Sequence, residues 1–316
     1  MSHICRICSN SEGNKPWRCS EKMFGWGDEF TYFECASCGC LQISEVPADL
    51  GRYYPSNYYS FQLQSVPQQG LKSQLARIRD YLAATQPGII GRLLARISVL
   101  RRDLTSLAFT GVKKNSKMLD VGCGRGELLS RLHRAGFRAL AGVDPFLAEE
   151  VVVVPGVVVQ KKQLAEVQGE FDLIMLHHVL EHLEFPKQFL ADCRSKLTKN
   201  GKLLLRFPTV DSFAWRKYRT NWVQLDAPRH LFLHSYKSIE RLARETGMVV
   251  EKIWCDSEAF QFFGSEHYEK GRPLLENGQY LAGSLNPEQL RRYEQEARRL
   301  NRLKQGDQIA VILTAV

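Results

Sequence analysis

Residues Lys117–Gly136 read KMLDVGCGRGELLSRLHRAG, and their pattern decides the fold. Met118, Leu119 and Val121 form a short apolar strand, and Gly122, Gly124 and Gly126 make a tight loop. Leu128, Leu129 and Leu132 then recur at helical spacing until Gly136 ends the run. Glycines suit such a loop because a side chain would hold a ligand away from the backbone, while the helix start offers free N–H groups and a positive dipole end. A dinucleotide fingerprint would need a third glycine where Glu127 stands, and Asp120 with Glu127 would repel a pyrophosphate. A ligand with a cationic amino group and no phosphate suits these carboxylates better.

Working outward, ALAGVDPF brings a second apolar strand to its end at Asp144, 22 residues after Gly122. A carboxylate there can accept both hydroxyls of a ribose. VVVQ and FDLIMLHH follow as third and fourth strands, GMVVEKIWC and QIAVILTAV as the last two. Asn286 caps an expected helix that opens on Pro287.

Upstream, Cys5-x-x-Cys8 and Cys35-x-x-Cys38 form two knuckles, each able to reach one tetrahedral ion. About 40 residues hold too little core to fold alone, so a structural zinc bound by Cys5, Cys8, Cys35 and Cys38 would supply the missing stability. Four thiolates leave no position for a catalytic water. Six of the nine cysteines lie in the first 40 residues, and Cys19 and Cys40 are spare thiols. Next to the ribbon, RYYPSNYYSF packs four tyrosines between Tyr53 and Tyr59, either as packing between domains or as a cover for a site.

The chain has 316 residues, 44% of them hydrophobic, which suits one sizeable core and a smaller appendage. No stretch has the roughly 18 apolar residues of a membrane span, and MSHICRICSN lacks a secretion signal's apolar core. A cytoplasmic location is expected. Of the net charge of +9, a net +8 lies between Leu71 and Lys117. There Ile90, Leu93, Ile97, Leu100, Leu104 and Leu107 form one apolar helical stripe; Leu71, Leu75, Ile78 and Leu82 form another, with Pro87-Gly88 as a break. Either these are linker helices with a solvated basic back, or the basic face attracts an anionic membrane surface carrying a lipid-linked substrate, or a nucleic acid.

Together these residues resemble the class I S-adenosylmethionine-dependent methyltransferases. LDVGCGRGELL is similar to that family's glycine-rich motif, GVDP to its acidic ribose motif, FDLIMLHHVLEHL to its motif after the fourth strand, and LTKNGKLLLRFP to the turn into its fifth. The resemblance covers Asn115 to Pro208 and implies an α/β, Rossmann-like seven-stranded sheet with the last strand antiparallel, preceded by a small zinc-ribbon domain. It also implies S-adenosylmethionine as cofactor. Asp120 and the loop Gly122, Cys123, Gly124 and Gly126 would cradle the methionine part. Asp144 with Pro145 would hold the ribose, Gln163 would face the adenine, and His177 and His178 would line the pocket. Cys123 reads as a small loop residue rather than a nucleophile. The domains are then 1–50 for the ribbon, 51–112 for the connector and basic helices, and 113–316 for the catalytic unit, with substrate-side insertions at 209–235 and 256–306.

Ribbon, tyrosine-rich connector and this fold in succession resemble the group that includes bacterial sugar C-methyltransferases. In that group a histidine before a hydrophobic-x-x-serine stretch serves as base; the matching residue here is His230, with His182 as its partner. Arg229 stands where the sugar enzymes often carry a glutamate, and with DQIAVILTAV read as the last sheet strand their extra carboxy-terminal domain is not expected here. The expected acceptor is a saccharide or related small molecule, methylated on oxygen or carbon after histidine-assisted deprotonation. Two alternatives are an RNA methyltransferase holding nucleic acid with its ribbon, and a non-catalytic cofactor-binding scaffold. His178, Glu181 and His182 also spell the H-x-x-E-H of some zinc peptidases, but here the first histidines end an apolar strand.

Overall fold

A computed structural model describes residues 3–55, 71–85, 102–276, 279–280 and 285–316. The expected helix over Ile90–Leu100 and the tyrosines Tyr58 and Tyr59 lie outside them.

Three short strands open the chain: β1 (Lys15–Ser20), β2 (Glu29–Glu34) and β3 (Leu41–Ile43). Helix α1 (Leu71–Thr85) and the short α2 (Arg102–Ser106) follow. The alternating unit is β4 (Met118–Val121), α3 (Glu127–Ala135), β5 (Leu140–Val143), β6 (Val151–Val154), β7 (Val157–Gln160), β8 (Phe171–His177), α4 (Pro186–Ser195) and β9 (Leu197–Pro208). Then come α5 (Phe213–Tyr218), β10 (Phe232–Leu233), α6 (Tyr236–Glu245), β11 (Met248–Cys255), α7 (Phe260–Glu269), β12 (Leu275–Glu276), β13 (Gln279–Tyr280), α8 (Pro287–Arg302) and β14 (Gln308–Ala315).

The central sheet has the order β11-β14-β9-β8-β4-β5-β7-β6. β9, β8, β4, β5 and β7 run parallel, and β14 is antiparallel to both its neighbours, as expected for the last strand. The strand count is eight rather than seven. The extra strand, β6, hairpins back onto β7 through Pro155-Gly156, where Gly156 takes φ 84°. Alternate residues of the inner strands face opposite sides. Ile174, Leu176, Leu203 and Leu205 share one buried cluster with α4 and α6, whereas Leu173, Met175 and Leu204 join α3 residues Leu129 and Leu132 in the other.

The helix over Leu71–Thr85 is present, but its buried face differs from the expected stripe. Ile78 is 59% exposed, while Asp80, Ala83 and Ala84 are buried. The reason is polar: Asp80 accepts from Arg79 at 2.6 Å and lies 3.8 Å from Arg134 on α3, which turns that side inward. Leu104 and Leu107, the end of the Ile90–Leu107 stripe, are buried. In the 256–306 insertion Phe262 and Tyr268 pack into the main core, and Asn286 caps α8 by accepting from Gln289 N–H at 2.7 Å.

The amino-terminal strands do not form a sheet by themselves. β10, from the carboxy-terminal half, pairs antiparallel with β3, setting Phe232 against Gln42 and Leu233 against Leu41. The resulting order is β1-β2-β3-β10, and Cys5, Tyr32, Phe33 and Leu41 share one continuous core cluster with Phe232 and the central strands.

Candidate functional site

The loop after β4 lies where the sheet order reverses, with β5 on one side and β8 on the other. In open α/β sheets such a crevice at the carboxyl ends of the strands is where ligands bind. Gly122 has φ 68°, and an added Cβ would stand 2.5 Å from Val179 Cγ2; Gly126 has φ 81°, and its Cβ would stand 2.5 Å from Val153 Cγ2. The loop therefore has no room for side chains at these two points, as a backbone cradle requires. Asp120 is buried at the strand end, and Glu127 in the first turn of α3 pairs with Arg131. Asp144 is buried; it accepts from Gly124 N–H at 2.8 Å and from Phe146 N–H at 2.9 Å, so it closes the loop. Each carboxylate oxygen keeps a second lone pair for a diol. Pro145 follows Asp144 in the turn. Cys123 Sγ lies 3.7 Å from the Val143 carbonyl, and burial pushes its thiol up, which suits a packing role. Gln163 is exposed, and its backbone N–H is held by Glu166 at 2.7 Å.

β8 ends at His177. His178 takes a left-handed φ of 56°, its Nδ1 3.2 Å from Glu181 Oε1 and its Nε2 3.4 Å from the Arg206 guanidinium. Glu181 is fully buried; burial raises its pKa, yet the hydrogen bond from His178 and the field of the neighbouring histidines outweigh this and hold it at about 2.

His182 and His230, 48 residues apart in sequence, meet edge to face with centroids 4.7 Å apart. His182 Nδ1 lies 2.9 Å from the Arg229 carbonyl, and His230 Nδ1 2.7 Å from the Gln224 carbonyl. A carbonyl only accepts, so each Nδ1 carries a proton, and in the neutral form of either ring Nε2 holds the lone pair. Burial, then the charge of His230, pushes His182 down to about 4, so it is neutral at pH 7. Asp226 Oδ2 stands 3.9 Å from His230 Nε2. Ligand atoms of Glu181, His182 and His230 all fall within 4.8 Å of one another.

Other side chains surround the pair. Tyr54 Oη stands 3.1 Å from His182 Nδ1, and Tyr32 Oη donates to the His230 carbonyl at 2.8 Å. Arg229 is fully buried; it contacts both Asp226 oxygens from Nε at 3.0 Å and reaches Glu21 Oε1 at 2.8 Å. Two sequence signals bear on these neighbours: Arg229 stands where a glutamate is expected, and Tyr54 belongs to the tyrosine cluster read either as inter-domain packing or as a cover for a site.

At the other end of the chain, Cys5, Cys8, Cys35 and Cys38 gather with all four sulfurs within 4.8 Å of one another. Cys5–Cys38 and Cys8–Cys35 are 3.6 and 3.5 Å apart. A zinc–sulfur bond of about 2.3 Å sets tetrahedral sulfurs roughly 3.8 Å apart, so the set fits that ion. A hydrogen bond from Cys38 pulls the Cys5 thiol down to about 4, and Gln42 Nε2 also donates to it at 3.0 Å. Cys19 and Cys40 are buried outside the cluster, and burial pushes Cys19 up to about 12.

A cleft beside the amino-terminal strands is lined by Lys15, Arg219 and Lys237 together with Glu34 and Asp211. The Arg219 guanidinium lies 5.4 and 5.6 Å from the rings of Trp17 and Trp215. Among the described residues no helix is long and apolar enough to cross a membrane.

A family model described as a methyltransferase domain matches residues 93–253, half of the chain. The mitochondrial ubiquinone biosynthesis O-methyltransferase of Saccharomyces cerevisiae is 29% identical over 132 residues, 37% of this chain and 42% of that protein. The tRNA U34 carboxymethyltransferase of Ectopseudomonas mendocina is 30% identical over 160 residues, 44% of this chain and 46% of that protein. The chain thus spans less than half the length of these curated relatives. Among solved structures, a SAM dependent methyltransferase from Archaeoglobus fulgidus is 20% identical, covering 72% of this chain and 99% of that one at a TM-score of 0.41.

Proposed function

We propose, from the premise that the chain belongs to the methyltransferase-domain family, that it transfers a methyl group from S-adenosylmethionine to an oxygen or carbon of a saccharide or related small acceptor. In this reading Asp120 and the Gly122–Gly126 loop, with Cys123, hold the methionine part. Asp144 and Pro145 hold the ribose, Gln163 faces the adenine, and His177 and His178 flank the pocket. Bound there, S-adenosylmethionine would supply an electrophilic methyl group. Cys5, Cys8, Cys35 and Cys38 would hold a structural zinc.

The observation that carries the acceptor side is the His182–His230 pair, each Nδ1 tied to a backbone carbonyl. His230 Nε2, with Nδ1 tied to the Gln224 carbonyl, is then the base for the acceptor's proton, and His182 orients it. The imidazolium that forms is stabilised by ionised Asp226 and Glu181 alongside. Such a base contributes on the order of 10²–10⁴-fold. Alignment of acceptor and methyl group supplies much of the rest. The saccharide class is supported by the succession of ribbon, tyrosine connector and catalytic unit.

A second reading, methylation of RNA, is favoured by Lys15, Arg219 and Lys237 in one cleft, three cations suited to phosphate although Glu34 and Asp211 share the lining. The two are separated by offering membrane glycolipid, nucleotide-sugar and RNA fractions with methyl-labelled S-adenosylmethionine. Label in a saccharide-bearing fraction is expected, and label in RNA alone would replace the first reading by the second.

A further inference from the structure

We propose that Glu21, a residue of the amino-terminal strands, is a positioning residue for the distant histidine pair: it holds Arg229, whose backbone carbonyl fixes the proton of His182 on Nδ1. The inference rests on reading His182 and His230 as the acceptor-side pair.

Glu21 follows β1 and is fully buried. Its carboxylate is itself fixed by the ribbon, accepting from Phe24 N–H at 3.1 Å and from Trp26 N–H at 3.1 Å. Its remaining capacity goes to Arg229 Nη2 at 2.8 Å. On its other side the guanidinium grips Asp226, donates to the Tyr53 carbonyl at 3.3 Å, and lies over the Phe24 ring at 5.3 Å. Arg229 is therefore held by the ribbon, by the connector and by its own loop.

That matters because the backbone of the same loop carries the histidines. The Arg229 carbonyl accepts from His182 Nδ1, and Tyr54 Oη approaches the same carbonyl at 3.4 Å. His230 N–H donates to the Asp226 carbonyl at 3.2 Å, and Tyr32, from ribbon strand β2, holds the His230 carbonyl. Which imidazole nitrogen keeps its proton is set by the hydrogen bond the other makes, so a displaced Arg229 carbonyl releases the proton to Nε2 and removes the lone pair from the acceptor side. A latch between elements this distant in sequence would be an odd choice for stability alone. A buried ion pair roughly breaks even against apolar packing and is best attested as a device for fixing one arrangement.

The test uses the 316-residue zinc-loaded chain with ¹⁵N-labelled histidine, and reads each ring's tautomer by long-range proton–nitrogen correlation, with no acceptor present. In the wild type His182 is expected as the Nδ1–H form. Glu21→Ala should turn that form from dominant to minor, while Glu21→Gln, whose amide oxygen still accepts from Arg229, should restore it. Affinity for S-adenosylmethionine, read by calorimetry, should stay within about twofold, because the glycine loop is untouched. If Glu21→Ala does not fold, Glu21→Asp, which keeps the charge but withdraws it by one methylene, is read in its place with the same expected loss. An unchanged His182 tautomer in the folded Ala or Asp variant overturns the proposal. So does an Nε2–H form in the wild type. Loss of catalysis by the histidines is a separate result, since neither ring spectrum depends on turnover.

Discussion

Replacing Arg229 by methionine keeps the apolar volume and removes the guanidinium. In the structure that group is fully buried, 2.8 Å from Glu21 and 2.7 Å from Asp226. Its loss leaves two carboxylates, Glu21 fully buried and Asp226 mostly so, without their shared counter-charge. Breaking one partner out of a buried ionic group costs about 3–5 kcal/mol, mostly as the desolvation of the charges left behind. For a chain of this size, each kcal/mol lowers the melting temperature by roughly 2–4 °C, so Arg229→Met should melt roughly 6–20 °C below the wild type. The sign of the second step is the sharper test. Adding Glu21→Gln to Arg229→Met removes one stranded charge, so the double variant should be more stable than the sum of the singles by about 1–3 kcal/mol. Urea unfolding of the four proteins gives the cycle directly. Arg229→Met within a degree of the wild type, or strict additivity, would refute the view that this trio acts as one buried electrostatic unit.

Further outcomes follow from individual groups. Burial drives His182 and His234 to about 4, below their ordinary 6.5, so the unfolded chain binds protons that the folded chain refuses. Stability is then full above pH 6.5 and falls as pH drops towards 4, by up to roughly 3 kcal/mol for each histidine. Thermal melts from pH 7.5 to 4.5 should show that slope, His234→Gln should reduce it, and a flat profile counts against it. Chelation of a single zinc ion per chain should loosen the β3–β10 pairing, seen as faster amide exchange at Phe232 and Leu233; unchanged exchange would mean the cysteines do not hold the ribbon. Gly122→Ala forces a Cβ within 2.5 Å of Val179 at a φ of 68° and should weaken S-adenosylmethionine binding at least tenfold by calorimetry, and equal affinity would move the cradle elsewhere.

Local signals carried much of this architecture. The strand, glycine loop and helix at Lys117–Gly136 and the two Cys-x-x-Cys knuckles are short-range patterns with a direct geometric meaning, and both stand where expected. The extra strand is half visible, since VVVVPGVVVQ is two valine runs about a Pro-Gly turn, and the sequence reading takes only the second run, VVVQ, as a strand. What stayed hidden was long-range. A two-residue strand such as Phe232–Leu233 has no periodicity to detect, so its pairing with β3 could not be foreseen. The partnership of Glu21 with Arg229 likewise leaves no trace in spacing. Arg229 was noticed as a departure from the sugar enzymes, but the structure supplies its reason: the charge at that position answers two carboxylates. Ile78 shows the reverse error, an apolar residue at helical spacing that faces outward because Asp80 draws the helix round towards Arg134.

The central claim is that His230 takes the acceptor's proton beside a bound S-adenosylmethionine. It is tested most directly by label transfer from methyl-labelled S-adenosylmethionine into the accepting fraction, comparing wild type with His230→Ala at matched cofactor occupancy. The account predicts that His230→Ala binds S-adenosylmethionine as the wild type does and transfers label on the order of 10²–10⁴-fold more slowly. Equal transfer rates in the two proteins would contradict it.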